Sequence, residues 1–306
     1  MQQMSPSKRW VVPVLWVGVL AISFAAIFFR KAEISVPGPT HPLAAASIRL
    51  LIAGALLFPF VVRARRQGRL PNGQVALALG GGVLYAIHFG SWVTSLTLTT
   101  VAASVTLVTA TPLLLALASL VTGRDRPNTR HWIAILLAVI GVTIIGGVDA
   151  FRADALLGDA LAFVGAIAMA GYLLIVRSVG DKLDPWAFTG IAAIVGGVLL
   201  AGSGWSVGIP LKVASFQALG FLLLAALVPQ LIGHTALTWV LRHVRPTTVG
   251  IATVGEPVGA ALLAWFWLDE SIPFWSGLGC VVTIFAVVVG VAARGRGEAP
   301  SAVETS

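Results

Sequence analysis

A few polar side chains stand inside otherwise apolar stretches, and any chemistry must rest on them: Arg49, Tyr85, His88, Thr106, Thr109, Thr111, Tyr172, Gln230, His234, Trp239 and Glu256. Glu256 is the only charge between Thr247 and Leu268 and is followed by Pro257. An ionised carboxylate in such a run costs several kcal/mol or more unless it is paired, hydrated or protonated, and the proline frees a backbone carbonyl that lipid cannot satisfy. Both features make sense if the helix faces an internal cavity. Glu256 then either takes up a coupling proton or cation, or pins its helix to a neighbour through hydrogen bonds. The freed backbone groups beside it make pinning the expectation.

Arg49 sits about a third of the way into its run from the outer side. A guanidinium there could bind a ligand carboxylate, snorkel, or lock an external gate, and the gate is the expected role. His88 and His234 could carry protons or bond a ligand near neutral pH, against the plainer role of interhelical hydrogen bonding. Tyr85 and Trp92 lie at i−3 and i+4 from His88, so the three share one helix face. The expected binding set is Tyr85, His88, Trp92, Thr111, Tyr172, Gln230, His234 and Trp239. Trp10, Trp132, Trp186, Trp205 and Trp275 fit an interfacial aromatic belt. Gly80-Gly81-Gly82 lacks the Lys-Ser/Thr of a phosphate loop and reads as a site of close helix packing.

The elements that must position these residues follow from composition. The 306 residues are 58% hydrophobic and 10% charged, with a mean hydropathy of +0.94, outside the range of soluble domains. The fold class is therefore an all-α integral membrane protein. Apolar spans are expected at 11–29, 43–62, 132–148, 155–176, 186–204, 216–240, 247–268 and 274–293. From Val75 to Gly123 there is no Asp, Glu, Lys or Arg. At ~1.5 Å per residue that stretch is roughly twice the ~30 Å bilayer core, so it must be a helical hairpin. The break is placed at the Thr/Ser cluster 94–100, whose side chains can satisfy freed backbone groups. Ten helices result, followed by a tail, 294–306, expected to be disordered.

The formal charge of +8 does not point to nucleic acid, because the basic residues sit in short clusters between apolar runs. With both termini inside, Lys8–Arg9, Arg63–Arg69, Arg124–Arg130, Arg177–Lys182, Arg242–Arg245 and Arg294–Arg296 place fifteen cations inside, against Arg30, Lys31, Arg152 and Lys212 outside. That is a strong positive-inside bias. The lone Cys280 allows neither a disulfide nor a cysteine metal site within one chain.

The chain also repeats itself at a spacing near 145 residues. Val17 through Arg30 matches Val164 through Arg177, Pro42 and Ala44 match Pro185 and Ala187, and Thr111-Pro112 through Asp125 matches Glu256-Pro257 through Glu270. Five helices per copy is odd, so the second copy enters the membrane from the opposite side. Two inverted five-helix repeats, 11–148 and 155–293, are the architecture of secondary transporters, with the ligand site at the repeat interface near midplane.

Pro112 to Arg126, the run from Trp132 to Gly146, the Arg49 helix after Pro42, and Glu256-Pro257 followed by Leu268-Asp269-Glu270 resemble the EamA domain of the drug/metabolite transporter superfamily, in two copies. The first copy departs from the pattern with Asp125 where the family usually has Glu. The resemblance implies a ten-helix carrier of the inner (cytoplasmic) membrane, often an exporter of amino acids or related metabolites. Its partners would be a small-molecule substrate and the lipid bilayer, and the oligomeric state stays open, a monomer included.

No enzyme is expected. There is no HExxH motif, no Ser/His/Asp arrangement in a soluble domain, and the loops are too short to hold one. No cofactor, catalytic residue or metal site is assigned. The alternatives are a channel-like protein and an intramembrane metal enzyme using His88, His234 and Glu256 as ligands.

Overall fold

The computed structural model describes residues 8–35, 38–99, 101–123, 126–146, 155–180, 184–268 and 271–293. Among them the chain forms ten apolar helices: α1 (Val11–Lys31), α2 (Pro42–Arg66), α3 (Asn72–Ser95), α4 (Ala103–Thr122), α5 (Thr129–Ile145), α6 (Leu156–Val179), α7 (Pro185–Ser206), α8 (Phe216–Val240), α9 (Pro246–Trp267) and α10 (Phe274–Ala292). All but the shorter α5 are long and apolar enough to cross a membrane. The only β contact among the described residues is an isolated Ile34–Thr40 bridge. The expected tail 294–306, the loop charges Arg124, Asp125, Arg152 and Lys182, and the Asp269-Glu270 pair lie outside the described residues.

Local chemistry sets the helix boundaries. Pro42, Pro185 and Pro246 each occupy a first-turn position, where a missing N–H is harmless. The side chains of His41 and Asp184 cap α2 and α7, accepting from Leu43 N–H at 3.2 Å and Ala187 N–H at 3.2 Å. The hairpin between α3 and α4 falls in the Thr/Ser cluster, where the Thr94 and Thr97 hydroxyls donate to backbone carbonyls and Ser95 and Ser104 bond each other at 2.6 Å.

Packing fixes the relation of the two copies. Along α2 and α7, Gly54 meets Ile194 and Gly190 meets Leu57, so residue numbers rise along one helix as they fall along the other. In α5 and α10, Gly141 lies against Thr283 and Gly279 against Ile145, again antiparallel. Each helix of these pairs therefore packs against its own counterpart in the opposite sense. The remaining contacts follow the same exchange, with α3 on α6 matched by α8 on α1, and α3 on α7 matched by α8 on α2. Small residues carry these crossings, since between helices in lipid close approach replaces the hydrophobic effect as the source of attraction.

Four helices are interrupted. α1 bends after Ser23, whose hydroxyl back-bonds to the Val19 carbonyl at 2.9 Å. α4 breaks at Thr109 and Ala110, and α9 at Val254 and Gly255, each just before its internal proline. α8 changes to π-helix over Ala226–His234, around Pro229. These irregularities point inward, where non-helical backbone at membrane depth is tolerated.

Candidate functional site

The two proline elbows place the site. Pro112 has no N–H to give the Val108 carbonyl, and the Thr111 hydroxyl donates to that carbonyl instead at 3.1 Å. Thr109 adds bonds to the Val105 and Thr106 carbonyls at 2.8 and 2.9 Å, and Thr106 ties α4 to the Val142 carbonyl of α5 at 3.0 Å. In α9 the equivalent proline is Pro257, the carbonyl without an N–H is that of Thr253, and the residue before the proline is Glu256. The Thr253 hydroxyl donates to Gly250 at 2.7 Å. Among the described residues the Glu256 side chain makes no hydrogen bond and no ion pair, so the partner that helix pinning needs is missing there. The carboxylate instead faces a cavity enclosed by α1, α2, α3, α4, α6, α8 and α9.

Arg49 enters the same cavity from α2. It is completely buried, its guanidinium lying 4.3 Å from the centre of the Phe89 ring and 5.5 Å from that of Phe29, and one Nη donates to the Gln230 Oε1 at 2.9 Å. It neither snorkels nor stands at an outer surface, because stacking between two aromatic rings carries the long side chain inward. Its Nε and other Nη have no hydrogen-bond partner, and neither has the buried Trp92 Nε1. Among the described residues no ion pair joins Arg49 to Glu256. A guanidinium and a carboxyl group thus face one interior space without pairing, with donors left over on the Arg49 side.

Helices α3 and α8 supply the rest of the wall. His88 Nδ1 lies 2.9 Å from the Gly165 carbonyl, and its ring stacks on Trp92 at 6.1 Å and 11°. His234 meets Phe89 edge-on at 5.3 Å. Tyr85 and Gln230 are 145 residues apart, whereas His88 and His234 are 146 apart; the wider turns of the π segment absorb that extra residue, and both histidines reach the cavity.

Of the expected set, His88, Trp92, Thr111, Tyr172 and His234 line the cavity, together with Arg49 and Glu256. Tyr85 stands behind, 4.2 Å from the Tyr172 ring, and Gln230 acts through Arg49. Trp239 is elsewhere: it lines a second cavity toward the basic end, against His243. Phe89 and Thr253 line the site without having been singled out, and Thr109 joins them from among the polar groups noted outside the expected binding set. Phe89 was detectable, since Tyr85, Phe89 and Trp92 form an i, i+4, i+7 stripe. The cavity measures about 50 Å³, room for a few waters at roughly 10–15 Å³ of such volume each. Among the described residues no three His, Cys, Asp or Glu side chains are placed to hold a metal ion, His88, His234 and Glu256 included.

Comparison with known proteins agrees with this architecture. The chain is 26% identical over 300 residues to an uncharacterized transporter of Archaeoglobus fulgidus, covering 94% of this chain and 98% of that one. It is 23% identical over 291 residues to the uncharacterized transporter YwfM of Bacillus subtilis, with the same coverage. A crystal structure sharing 16% identity superposes with a TM-score of 0.74 over 94% of this chain and 98% of that chain, which establishes the common fold. The profile of the EamA-like transporter family matches twice, at residues 9–147 and 156–291. Ten helices in two opposed copies, each with a proline elbow at a shared central cavity, are thus the form taken here by a multi-pass membrane protein that belongs to the EamA-like transporter family.

Proposed function

We propose that this transporter is an alternating-access carrier that moves a zwitterionic α-amino acid or close relative, binding its carboxylate at Arg49 and its ammonium group at Glu256. The observation that carries the reading is the unjoined guanidinium of Arg49 and carboxyl group of Glu256 on one buried cavity. A lone anion or cation between them leaves a net charge in a low-dielectric interior, whereas a zwitterion keeps the sum at zero and satisfies both ends. The unpaired donors of Arg49 and Trp92 suit a carboxylate, since each buried donor left bare costs about 1–3 kcal/mol. The aromatic and aliphatic walls suit an apolar side chain. A cavity of about 50 Å³ must widen to admit such a ligand, and rocking of one repeat against the other supplies that change.

Export across the cytoplasmic membrane, with both termini inside, is the direction and placement we assign, from the family resemblance and the clustering of basic residues on one side. Counterflow in proteoliposomes tests the reading. Saturable exchange of an α-amino acid, blocked by N-acylation and by esterification alike, is expected. Exchange that tolerates loss of either charge on the solute overturns the zwitterion assignment, and non-saturating flux indicates a channel. Single cysteines at Thr129 and Ser271, in a Cys280→Ser background, should label from opposite membrane faces.

A further inference from the structure

Outside the central site, a cavity of about 620 Å³ opens at the basic end. Its walls come from the end of α2, the start of α3, the start of α7 and the end of α8. Among the described residues three guanidinium groups, Arg63, Arg69 and Arg242, face it with one carboxylate, Asp184. Arg69 pairs with Asp184, whose other oxygen caps α7 at the Ala187 N–H. The pair straps the α2–α3 loop to α7, and among the described lining residues guanidinium groups outnumber carboxylates three to one. At the rim Phe60 and Trp186 stack at 5.4 Å and 24°, yet remain 45% and 43% exposed. Both belong to membrane-crossing helices, so that exposure faces lipid.

We propose that this cavity binds the headgroup of an anionic phospholipid, with the phosphodiester beside Arg63 and Arg242 and the acyl chains leaving along the Phe60–Trp186 pair. Basic pockets between transmembrane helices, at the level where apolar helix ends meet cationic loops, are suited to acidic headgroups. Arginine matches a phosphate in geometry as well as charge. Trp186 and Phe60 add the aromatic surface that settles at the headgroup level. A free phosphate would have no use for an exposed aromatic rim, which favours the lipid. The site stands apart from the transport cavity and does not depend on what is carried.

The test is native mass spectrometry of the full-length protein, released from micelles containing phosphatidylglycerol or phosphatidylethanolamine of identical chains, with thermal unfolding in inorganic phosphate as a parallel arm. Phosphatidylglycerol should be retained preferentially, and the preference should fall by about fivefold for each of Arg63→Gln and Arg242→Gln. Arg63→Lys should keep most of it. If the glutamine variants do not fold, the wild-type comparison still decides. Equal retention of the two lipids overturns the proposal, as does inorganic phosphate that stabilises the wild type and displaces the retained lipid.

Discussion

In α4 the residue before the elbow proline is Thr111, and in α9 it is Glu256, at the same place in the opposed copy. The threonine hydroxyl turns back onto its own helix and replaces the hydrogen bond that Pro112 removed. The glutamate turns away and faces the cavity. One elbow is therefore satisfied internally and the other leaves its polar group available to a ligand or a proton. Arg49 shows the same asymmetry: aligned by Pro42 and Pro185, its counterpart is Ala192, wholly buried against the neighbouring helices. Each copy supplies one charge and lacks the other, so the complete site exists only where the copies meet.

The largest effect is expected from making the second elbow like the first. Glu256→Thr removes the carboxylate while offering a hydroxyl to the Thr253 carbonyl. Counterflow should fall by about 100-fold, the scale set by losing a charge-assisted hydrogen bond of roughly 3 kcal/mol. Thermal stability should hold or rise. Retained counterflow would show that Glu256 does not touch the solute. Glu256→Gln separates coupling from binding: exchange that survives while accumulation driven by a pH gradient disappears assigns the proton to this residue, and unaltered gradient-driven transport removes it from that role.

The converse change breaks the self-satisfied elbow. Thr111→Val keeps the shape but leaves the Val108 carbonyl bare, and should cost about 1–3 kcal/mol of stability, read as a lower midpoint of unfolding in detergent. A midpoint equal to wild type would mean that another group takes over that carbonyl.

The two caps at the starts of α2 and α7 sharpen the comparison further. Asp184 both caps and pairs with Arg69, whereas His41 only caps. Asp184→Ala should therefore destabilise by about 1 kcal/mol and exceed His41→Ala, and the reverse order would show that the strap contributes nothing.

The smallest effect concerns pH. Burial lowers the pKa of His41 below its ordinary value of 6.5, and only neutral imidazole can accept the Leu43 N–H. The stabilisation from this cap is thus complete above about pH 6.5 and is lost as pH falls through the folded value. His41→Asn, which does not titrate, should flatten this part of the unfolding midpoint's dependence between pH 7.5 and 5. An unchanged profile would exclude His41 as its source.

The unequal elbows also mark where sequence reading succeeds. Pro112 and Pro257 announce themselves, and so does the unneutralised Glu256, because a proline or a charge inside an apolar run is a local violation visible in the chain alone. Arg49 was as visible, but its depth was not: the span around it gives a position along the membrane normal and says nothing of whether a long side chain turns toward the rim or inward between Phe29 and Phe89. Trp239 shares a helix with His234 but lines a different cavity, since the ordinary α-helix of Thr235–Val240 carries a side chain five residues on by about 7.5 Å along the axis and about 140° around it.

The sequence by itself determined the ten helices, their order, their opposed duplication and the elbows, because hydropathy, proline and repeat spacing act along the chain and the bilayer enforces them one segment at a time. Only the tertiary structure decided that Arg49 and Glu256 share a cavity without pairing, that Phe89 joins them, and that Trp239 does not. Those facts depend on the rotation of each helix about its own axis. That rotation is set by which small residues of α2, α7, α5 and α10 admit a neighbour, a property of pairs of helices that no single segment encodes.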